Sequence, residues 1–263
     1  MLTVTPYRFL MLLFPLFFLS CNEIIEYSPY DVGLESRNQN SNFIEHLSDF
    51  NSQTNDTFSF ALLSDPHFYY DELASAIKNI NTHKNLAFVF VCGDVTDSGL
   101  AREYLFYHNH IKKLKIPCLT LIGNHDYLSN GKIAYQRMFG ATNFSFQYGA
   151  YHFIAFNNIV WEKGNVCPDF DWLNSQIKTS DKKCVVFSHI PTWTDQFTEK
   201  SRSLYSSIVN NPAVAINIHG HQHHYMDTII NDKRYFVTEA VFEREYYIVK
   251  MSEETIEIET IKF

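Results

Sequence analysis

Glycine and cysteine are scarce in this sequence of 263 residues, with nine of the first and five of the second. So little glycine excludes a collagen-like repeat, and five cysteines are too few for a disulfide scaffold. The composition is not that of a coiled coil, and no internal repeat or low-complexity block stands out. No basic stripe runs along the chain, and the formal net charge is −8, which disfavours nonspecific binding to a nucleic-acid backbone. What the chain does have is 46% hydrophobic and 19% charged residues, with 23 Phe and 16 Tyr. That is a globular composition with ample material for a packed core, suited to one large domain or two small ones.

The first 20 residues contain no acid and one base, Arg8. The apolar run Phe9–Leu19 has 11 residues, against the roughly 20 that a spanning helix needs, and Pro15 interrupts it. It fits the apolar region of a signal peptide, residues 1–20. Its end, Phe18-Leu19-Ser20-Cys21, resembles a bacterial lipoprotein signal, with Phe18 where leucine is usual. The resemblance implies that Cys21 is lipidated and becomes the mature N-terminus, which would place the chain in the bacterial envelope, anchored to a membrane. A cleaved secretory signal and a short membrane anchor are the alternatives. Two or three acyl chains would anchor it stably, whereas one is marginal. Residues 21–57 are polar and read as a tether with a short helix near Phe43–Phe50. Of the other cysteines, Cys92, Cys118, Cys167 and Cys184, three sit in apolar runs or beside motifs and read as free thiols. An exported context also permits a disulfide.

The body is read as residues 58–263. Short apolar runs predict buried strands at Phe58–Leu63, Leu86–Val91, Cys118–Ile122, Cys184–Phe187 and Val214–Ile218. Helical patterns fall between them at Asp71–His83, Leu100–Leu114, Lys132–Phe139, Phe170–Lys178 and Thr198–Val209. Phe144–Tyr148 and Tyr151–Phe156 read as a hairpin. After His223 the chain turns to β at Tyr225–Ile230, Arg234–Thr238, Glu245–Met251 and Thr255–Lys262. Helix–strand alternation followed by consecutive strands predicts an α/β body with two sheets, mixed toward the C-terminal half.

Each of the five buried strands runs into a polar cluster. These are Asp65-Pro66-His67, Gly93-Asp94-Val95-Thr96-Asp97, Gly123-Asn124-His125-Asp126, Ser188-His189-Ile190-Pro191 and Gly220-His221-Gln222-His223. Any one alone reads as turn punctuation. Five in this order, each after a hydrophobic strand, point to one crevice, because ligands of open α/β sheets bind outside the carboxyl ends of strands.

This ordered set, D-x-H, G-D-x-x-D, G-N-H-D, H and G-H-x-H, resembles the signature of the calcineurin-like metallophosphoesterases and covers Phe60–His223. The stretch from Asp94 through Gly99–Tyr104 to Asp126 is most similar to the cyclic-nucleotide phosphodiesterase branch. The resemblance implies a four-layer α-β-β-α sandwich and two metal ions. Asp65, His67 and His223 would hold one, Asn124, His189 and His221 the other, with Asp94 bridging. His125 would protonate the leaving oxygen or stabilise its charge, and Asp126 would orient His125. The implied activity is hydrolysis of a phosphodiester or phosphomonoester by metal-bound hydroxide.

The donor chemistry supports this separately. Carboxylate, neutral imidazole and amide oxygen suit Mn, Fe or Zn better than Ca or Mg. No cysteine stands at a motif position, so a structural zinc knot is not indicated. Two divalent cations with Asp65, Asp94 and a hydroxide leave a net charge of about +1, which attracts an anion such as phosphate. A small phosphorylated substrate is the expected partner, and nucleic acid is not favoured.

His108 and His110 read as surface residues, and His219 and His224 as structural neighbours of the G-H-x-H cluster. His46, His83 and His152 carry no motif. Asp97 stands where purple acid phosphatases carry a metal-bound tyrosine, and reads as a turn residue or a neighbour of the ligands. After Asp126 come Tyr127-Leu128-Ser129, without the arginine that cyclic-nucleotide enzymes carry nearby. Trp161–Pro168 and Trp193–Lys200 could overhang the site or cover the core. The competing functions are a non-catalytic binding module on this fold, which would have lost ligands, and a metal-dependent nuclease.

Overall fold

The computed structural model describes residues 37–50 and 57–263. The signal-peptide and Cys21 expectations lie outside the described residues. Among the described residues, no helix is long and apolar enough to cross a membrane.

Two mixed sheets form the centre. The first is built from β1 (Thr57–Leu63), β2 (Leu86–Val91), β3 (Cys118–Thr120), β10 (Glu245–Ser252) and β11 (Ile256–Lys262) in the order β11-β10-β1-β2-β3. The second is built from β4 (Phe144–Tyr148), β5 (Tyr151–Ala155), β6 (Lys183–Phe187), β7 (Val214–His219), β8 (Met226–Ile230) and β9 (Lys233–Val237) in the order β4-β5-β6-β7-β9-β8. β1, β2 and β3 run parallel, as do β5, β6, β7 and β9. The hairpins at β4–β5, β8–β9 and β10–β11 are antiparallel, so mixing is not confined to the C-terminal half.

Period-two alternation sorts the side chains between layers. Phe60, Leu62, Phe88 and Phe90 of the first sheet meet Phe153, Val185, Phe187, Ile216 and Ile218 of the second. The Phe90 and Phe187 rings stack with centroids 3.8 Å apart. The alternate residues Ala61, Leu63, Val89 and Val91 face outward under α2 (Tyr70–Ile80), α3 (Ala101–Ile111) and α4 (Gly131–Met138). Cys184, Val186 and Val214 face outward under α5 (Phe170–Thr179) and α6 (Glu199–Val209). The result is the expected α-β-β-α sandwich. Cys92, Cys118 and Cys184 are buried free thiols, and Cys167 is free and exposed.

The segment read as a tether holds a docked helix, α1 (Gln39–Phe50), longer than the Phe43–Phe50 helix expected. Its Asn40 is buried beside β3, the edge of the first sheet. Asn40 Nδ2 donates to the Thr120 carbonyl at 2.9 Å, and the Thr120 N–H donates to Asn40 Oδ1 at 3.0 Å. One side-chain amide thus stands in for a neighbouring strand and covers an otherwise open edge.

Candidate metal centre

β1, β2 and β3 of the first sheet and β6 and β7 of the second all release their chains at one end of the sandwich, and the five polar clusters meet there. Short backbone bonds tie the ends together. Asp65 N–H donates to the Gly93 carbonyl, His67 N–H to the Asp94 carbonyl and Gly220 N–H to the His189 carbonyl. The approach is too close for side chains at two glycines. A Cβ on Gly123 would lie 2.1 Å from Asp94 Oδ1, and one on Gly220 would lie 2.1 Å from Ser64 Oγ.

Five of the seven candidate ligands hold left-handed backbone, with φ of 55° at Asp65, 42° at His67, 52° at Asp94, 69° at His221 and 51° at His223. Non-glycine residues rarely adopt this region, and each costs of order 1–3 kcal/mol. Such a concentration marks a site whose geometry the surrounding fold imposes.

Asp65 and Asp94 are buried and face imidazoles. His189 Nε2 lies 3.0 Å from Asp94 Oδ2 and 3.7 Å from Asp65 Oδ1. His67 Nε2 is 3.8 Å from Asp94 Oδ2, and His223 Nε2 is 3.1 Å from Asp65 Oδ1. Asn124 Oδ1 sits 2.9 Å from His221 Nδ1. Three three-residue groups, Asp65/His67/His223, His67/Asp94/His125 and Asp94/His189/His221, each bring their ligand atoms within 4.8 Å of one another. With Asn124 beside His221, all seven predicted ligands are in one cluster.

The electrostatics follow from burial. Desolvation alone would raise both carboxyls. His189 and His223 outweigh it at Asp65, as His189, His125 and His67 do at Asp94, and both are held below the ordinary carboxylate range. Burial and the charge of His189 push His221 down to about 4, and burial lowers His67 against the pull of Asp94. Both therefore present neutral imidazoles with a lone pair to give. Burial opposes charge on His189, but Asp94 and Asp65 overcome it and raise its pKa to about 10. A cation placed between the same carboxylates competes directly with that proton.

Backbone carbonyls fix which ring nitrogen faces inward. His67 Nδ1 donates to the Thr96 carbonyl at 3.2 Å, and His189 Nδ1 to the Cys92 carbonyl at 2.7 Å. Each leaves Nε2 toward the carboxylates, the arrangement that metal-ligating histidines use. His189 Nε2 is buried and, although 3.0 Å from Asp94 Oδ2, has no regular hydrogen-bond partner. An orphaned imidazole nitrogen facing two buried carboxylates fits a bound cation.

His125 lies beside this group, its ring centroid 4.7 Å from that of His67. Its N–H donates to Asp94 Oδ1 at 2.8 Å. Asp126 does not orient it, contrary to the expectation from the motif. Asp126 is fully buried and accepts from Thr96 N–H at 2.9 Å, Thr96 Oγ1 at 2.8 Å, Gly123 N–H at 2.8 Å and Val95 N–H at 3.3 Å. It clasps the loop after β2 to the loop after β3. Burial, then the charge of Asp94, raises its pKa to about 7 against those bonds. His125 is oriented by a main-chain group, its Nδ1 donating to the Asp97 carbonyl at 2.7 Å.

Other residues fall as follows. His219 is buried, donates from Nδ1 to the Ser188 carbonyl and stacks on Tyr235, and His224 is exposed. His108 is half-buried against Gln39 of α1 at 2.9 Å and so is not simply a surface residue. Trp161, Pro168, Gln196 and Phe197, from the two candidate overhanging segments, line one cavity of about 370 Å³. Sequence reasoning missed Glu162, whose Oε1 accepts from Asn124 Nδ2 at 3.1 Å. It sits in an aperiodic turn, and its only sequence signal is membership of the Trp161–Pro168 segment.

A two-sheet sandwich with acids and imidazoles gathered at its strand ends is the architecture of a metal-dependent phosphoesterase. The chain belongs to the calcineurin-like phosphoesterase family, whose profile matches residues 58–225. It is 28% identical over 150 residues to a 3',5'-cyclic-nucleotide phosphodiesterase of Nostoc sp., a match covering 52% of this chain and 56% of that protein's length. A dimetal phosphatase from Danio rerio superposes with a TM-score of 0.59 at 14% identity, over 78% of this chain and 99% of that one. A purple acid phosphatase from yellow lupin gives 0.61 at 13% identity, over 80% of this chain and 52% of that one. At these identities the two solved structures share the fold.

Proposed function

We propose that the protein hydrolyses a phosphate ester, a diester in preference to a monoester, at a two-metal centre. Asp65, His67 and His223 hold one cation, Asn124, His189 and His221 the other, and Asp94 lies between. The observation that carries this reading is the pair of ligand groups, Asp65/His67/His223 and Asp94/His189/His221, joined where His189 approaches both carboxylates. The donor set suits Mn, Fe or Zn. When bound, two such cations polarise a phosphoryl oxygen and lower the pKa of a coordinated water.

The chain's own groups do the rest. Asp65 and Asp94 are held ionised by the imidazoles around them, so they present charge to cations rather than protons. His125 donates a hydrogen bond from Nδ1 to the Asp97 carbonyl, which leaves Nε2 to hold or release a proton at the leaving oxygen. Asp126 keeps the two loops that carry Asp94 and His125 in register. The diester preference draws support from the Nostoc relative.

The test uses the full chain reloaded with Mn²⁺, comparing bis-p-nitrophenyl phosphate with p-nitrophenyl phosphate, and Asp94→Asn as control. Diester hydrolysis that disappears in Asp94→Asn is expected. Monoester hydrolysis alone would make the protein a phosphatase, and metal binding without either activity would make it a binding module. We also propose that the chain is exported and anchored through lipidated Cys21, supported by the Phe9–Leu19 run and the Leu19-Ser20-Cys21 ending. Metabolic fatty-acid labelling that persists in Cys21→Ser would sink that reading.

A further inference from the structure

We infer that Glu162 is a positioning residue for one metal of the pair, setting which end of the Asn124 amide faces the cation; this rests on the two-metal reading above. An asparagine amide has a donor end and an acceptor end of nearly the same shape. Only the oxygen can ligate a cation. Asn124 is buried, at 6% exposure, so water does not decide between the two orientations.

Glu162 does. An ionised carboxylate accepts and cannot donate. Its Oε1 lies 3.1 Å from Asn124 Nδ2, which forces the amide nitrogen outward and Oδ1 toward His221 Nδ1 at 2.9 Å. The negative charge beside the NH₂ group also polarises the amide and strengthens its oxygen as a ligand.

The turn that carries Glu162 is built to hold it there. Gly164 N–H donates to the Trp161 carbonyl and Asn165 N–H to the Val160 carbonyl, closing the turn. Just before it, the fully buried Asn158 is bound at both ends to Ile190, donating from Nδ2 to the carbonyl and accepting the N–H at 3.2 Å. Ile190 follows His189, a ligand of the same cation. One loop therefore registers Asn124 and His189 against each other.

The choice of a carboxylate is informative. Glu162 Oε2 is buried without a hydrogen-bond partner, a cost a purely packing residue has no reason to carry. What Glu offers and Gln does not is acceptor-only character. Gln would bond Asn124 equally well in either orientation.

The probe is Mn²⁺ alone, titrated into the full chain by calorimetry, with bound metal counted by atomic emission. Wild type is expected to bind two ions. E162Q is expected to weaken one of them by about 10–100-fold, the usual range for an outer partner of a metal ligand, and to leave the other unchanged. Its thermal unfolding in chelator should match wild type. Two ions at wild-type affinity in E162Q would overturn the inference while leaving the two-metal reading intact. Equal weakening of both ions with a lower unfolding temperature in chelator would also overturn it, because that is a structural defect. Fewer than two ions in wild type would overturn the two-metal reading, and this inference with it. The nearly isosteric E162Q keeps the test decisive even if Glu162→Ala fails to fold.

Discussion

The strands of this protein obey one set of rules along their length and the opposite set at their carboxyl ends. Along β1, β2, β6 and β7, phenylalanines and aliphatics alternate between the inter-sheet seam and the helical layers, and nearly all are fully buried. Two residues beyond β1 and β7 and three beyond β2, at Asp65, His221 and Asp94, the backbone turns left-handed and acids and imidazoles crowd together. Strain of this kind persists only where the surroundings over-determine it. The stiff seam is what lets the ends carry strain. Stability and chemistry are therefore separable by position along the same strand, and substitutions can break one without the other.

The largest effect is expected from the smallest change at an end. Gly123→Ala adds one methyl, 2.1 Å from Asp94 Oδ1 and 2.2 Å from its backbone nitrogen. We expect metal binding and hydrolysis to fall to background, with near-ultraviolet circular dichroism still reporting an ordered aromatic seam. A Gly123→Ala protein that keeps wild-type metal content would show that the ends tolerate slack.

The complementary break is in the seam. Phe187 is fully buried and stacked on Phe90 at 3.8 Å. Phe187→Ala should cost about 3–5 kcal/mol of stability through the lost contacts and the cavity left behind. Denaturant unfolding measures this, and turnover per folded molecule should stay near wild type. A fall in turnover at full folding would mean that seam and ends are coupled.

His125→Ala tests a further division of the ends, between groups proposed to hold metal and one proposed to move protons. Turnover should fall by about 10²–10⁴-fold if His125 acts as general acid, with Mn²⁺ stoichiometry unchanged. The loss should shrink on esters with good leaving groups such as p-nitrophenol. An equal loss on all esters would assign His125 to structure.

These contrasts also explain what the sequence made legible. The strand bodies were readable because period-two alternation of large apolar residues has few other meanings. Leu86–Val91 was placed to the residue, whereas Cys118–Ile122 ran two residues long. Leu121 and Ile122 are apolar and buried, but β2 stops at Val91, so the ladder ends with the Leu121 N–H donating to the Val91 carbonyl at 2.9 Å. The candidate ligands were readable because acid and imidazole clusters after buried strands are rare. The bonding of Asp126 is not legible in the sequence, because three of its four donors are main-chain N–H groups, of Val95, Thr96 and Gly123, which leave no trace in residue type. The same blindness hid the docking of α1, where the Asn40 side chain meets the backbone of Thr120 and Leu47 enters the inter-sheet cluster.

That docking gives a smaller prediction. In Asn40→Ala the Thr120 carbonyl keeps the Tyr135 hydroxyl as donor at 2.6 Å, but the buried Thr120 N–H loses its acceptor. One unsatisfied buried donor costs about 1–3 kcal/mol, and unfolding by denaturant should report a loss in that range. Hydrolysis by the folded fraction should be unaffected, since β3 remains paired with β2.

The smallest effect sharpens the boundary between α1 and the body through pH. Burial, and then the charge of Lys112, holds the His108 imidazole below its ordinary value of 6.5. His108 faces Gln39 of α1, with Lys112 one turn further on, at the C-cap of α3. In the unfolded chain the imidazole takes up a proton near pH 6.5, whereas in the folded chain it does so only at lower pH. Below about pH 6.5 the unfolded state therefore binds more protons than the folded one, and stability falls as the pH drops. Other histidines of lowered pKa, such as His152, tilt the profile the same way, so the wild-type slope alone assigns nothing to His108. The difference between wild type and His108→Gln does. Melting temperatures compared at pH 7.5 and pH 5.5 should show a shallower fall in His108→Gln, while hydrolysis measured at pH 7.5 stays at the wild-type level. Identical slopes would mean that the α1 contact at Gln39 opens before the chain unfolds, which would make α1 a separately melting unit rather than part of the sandwich.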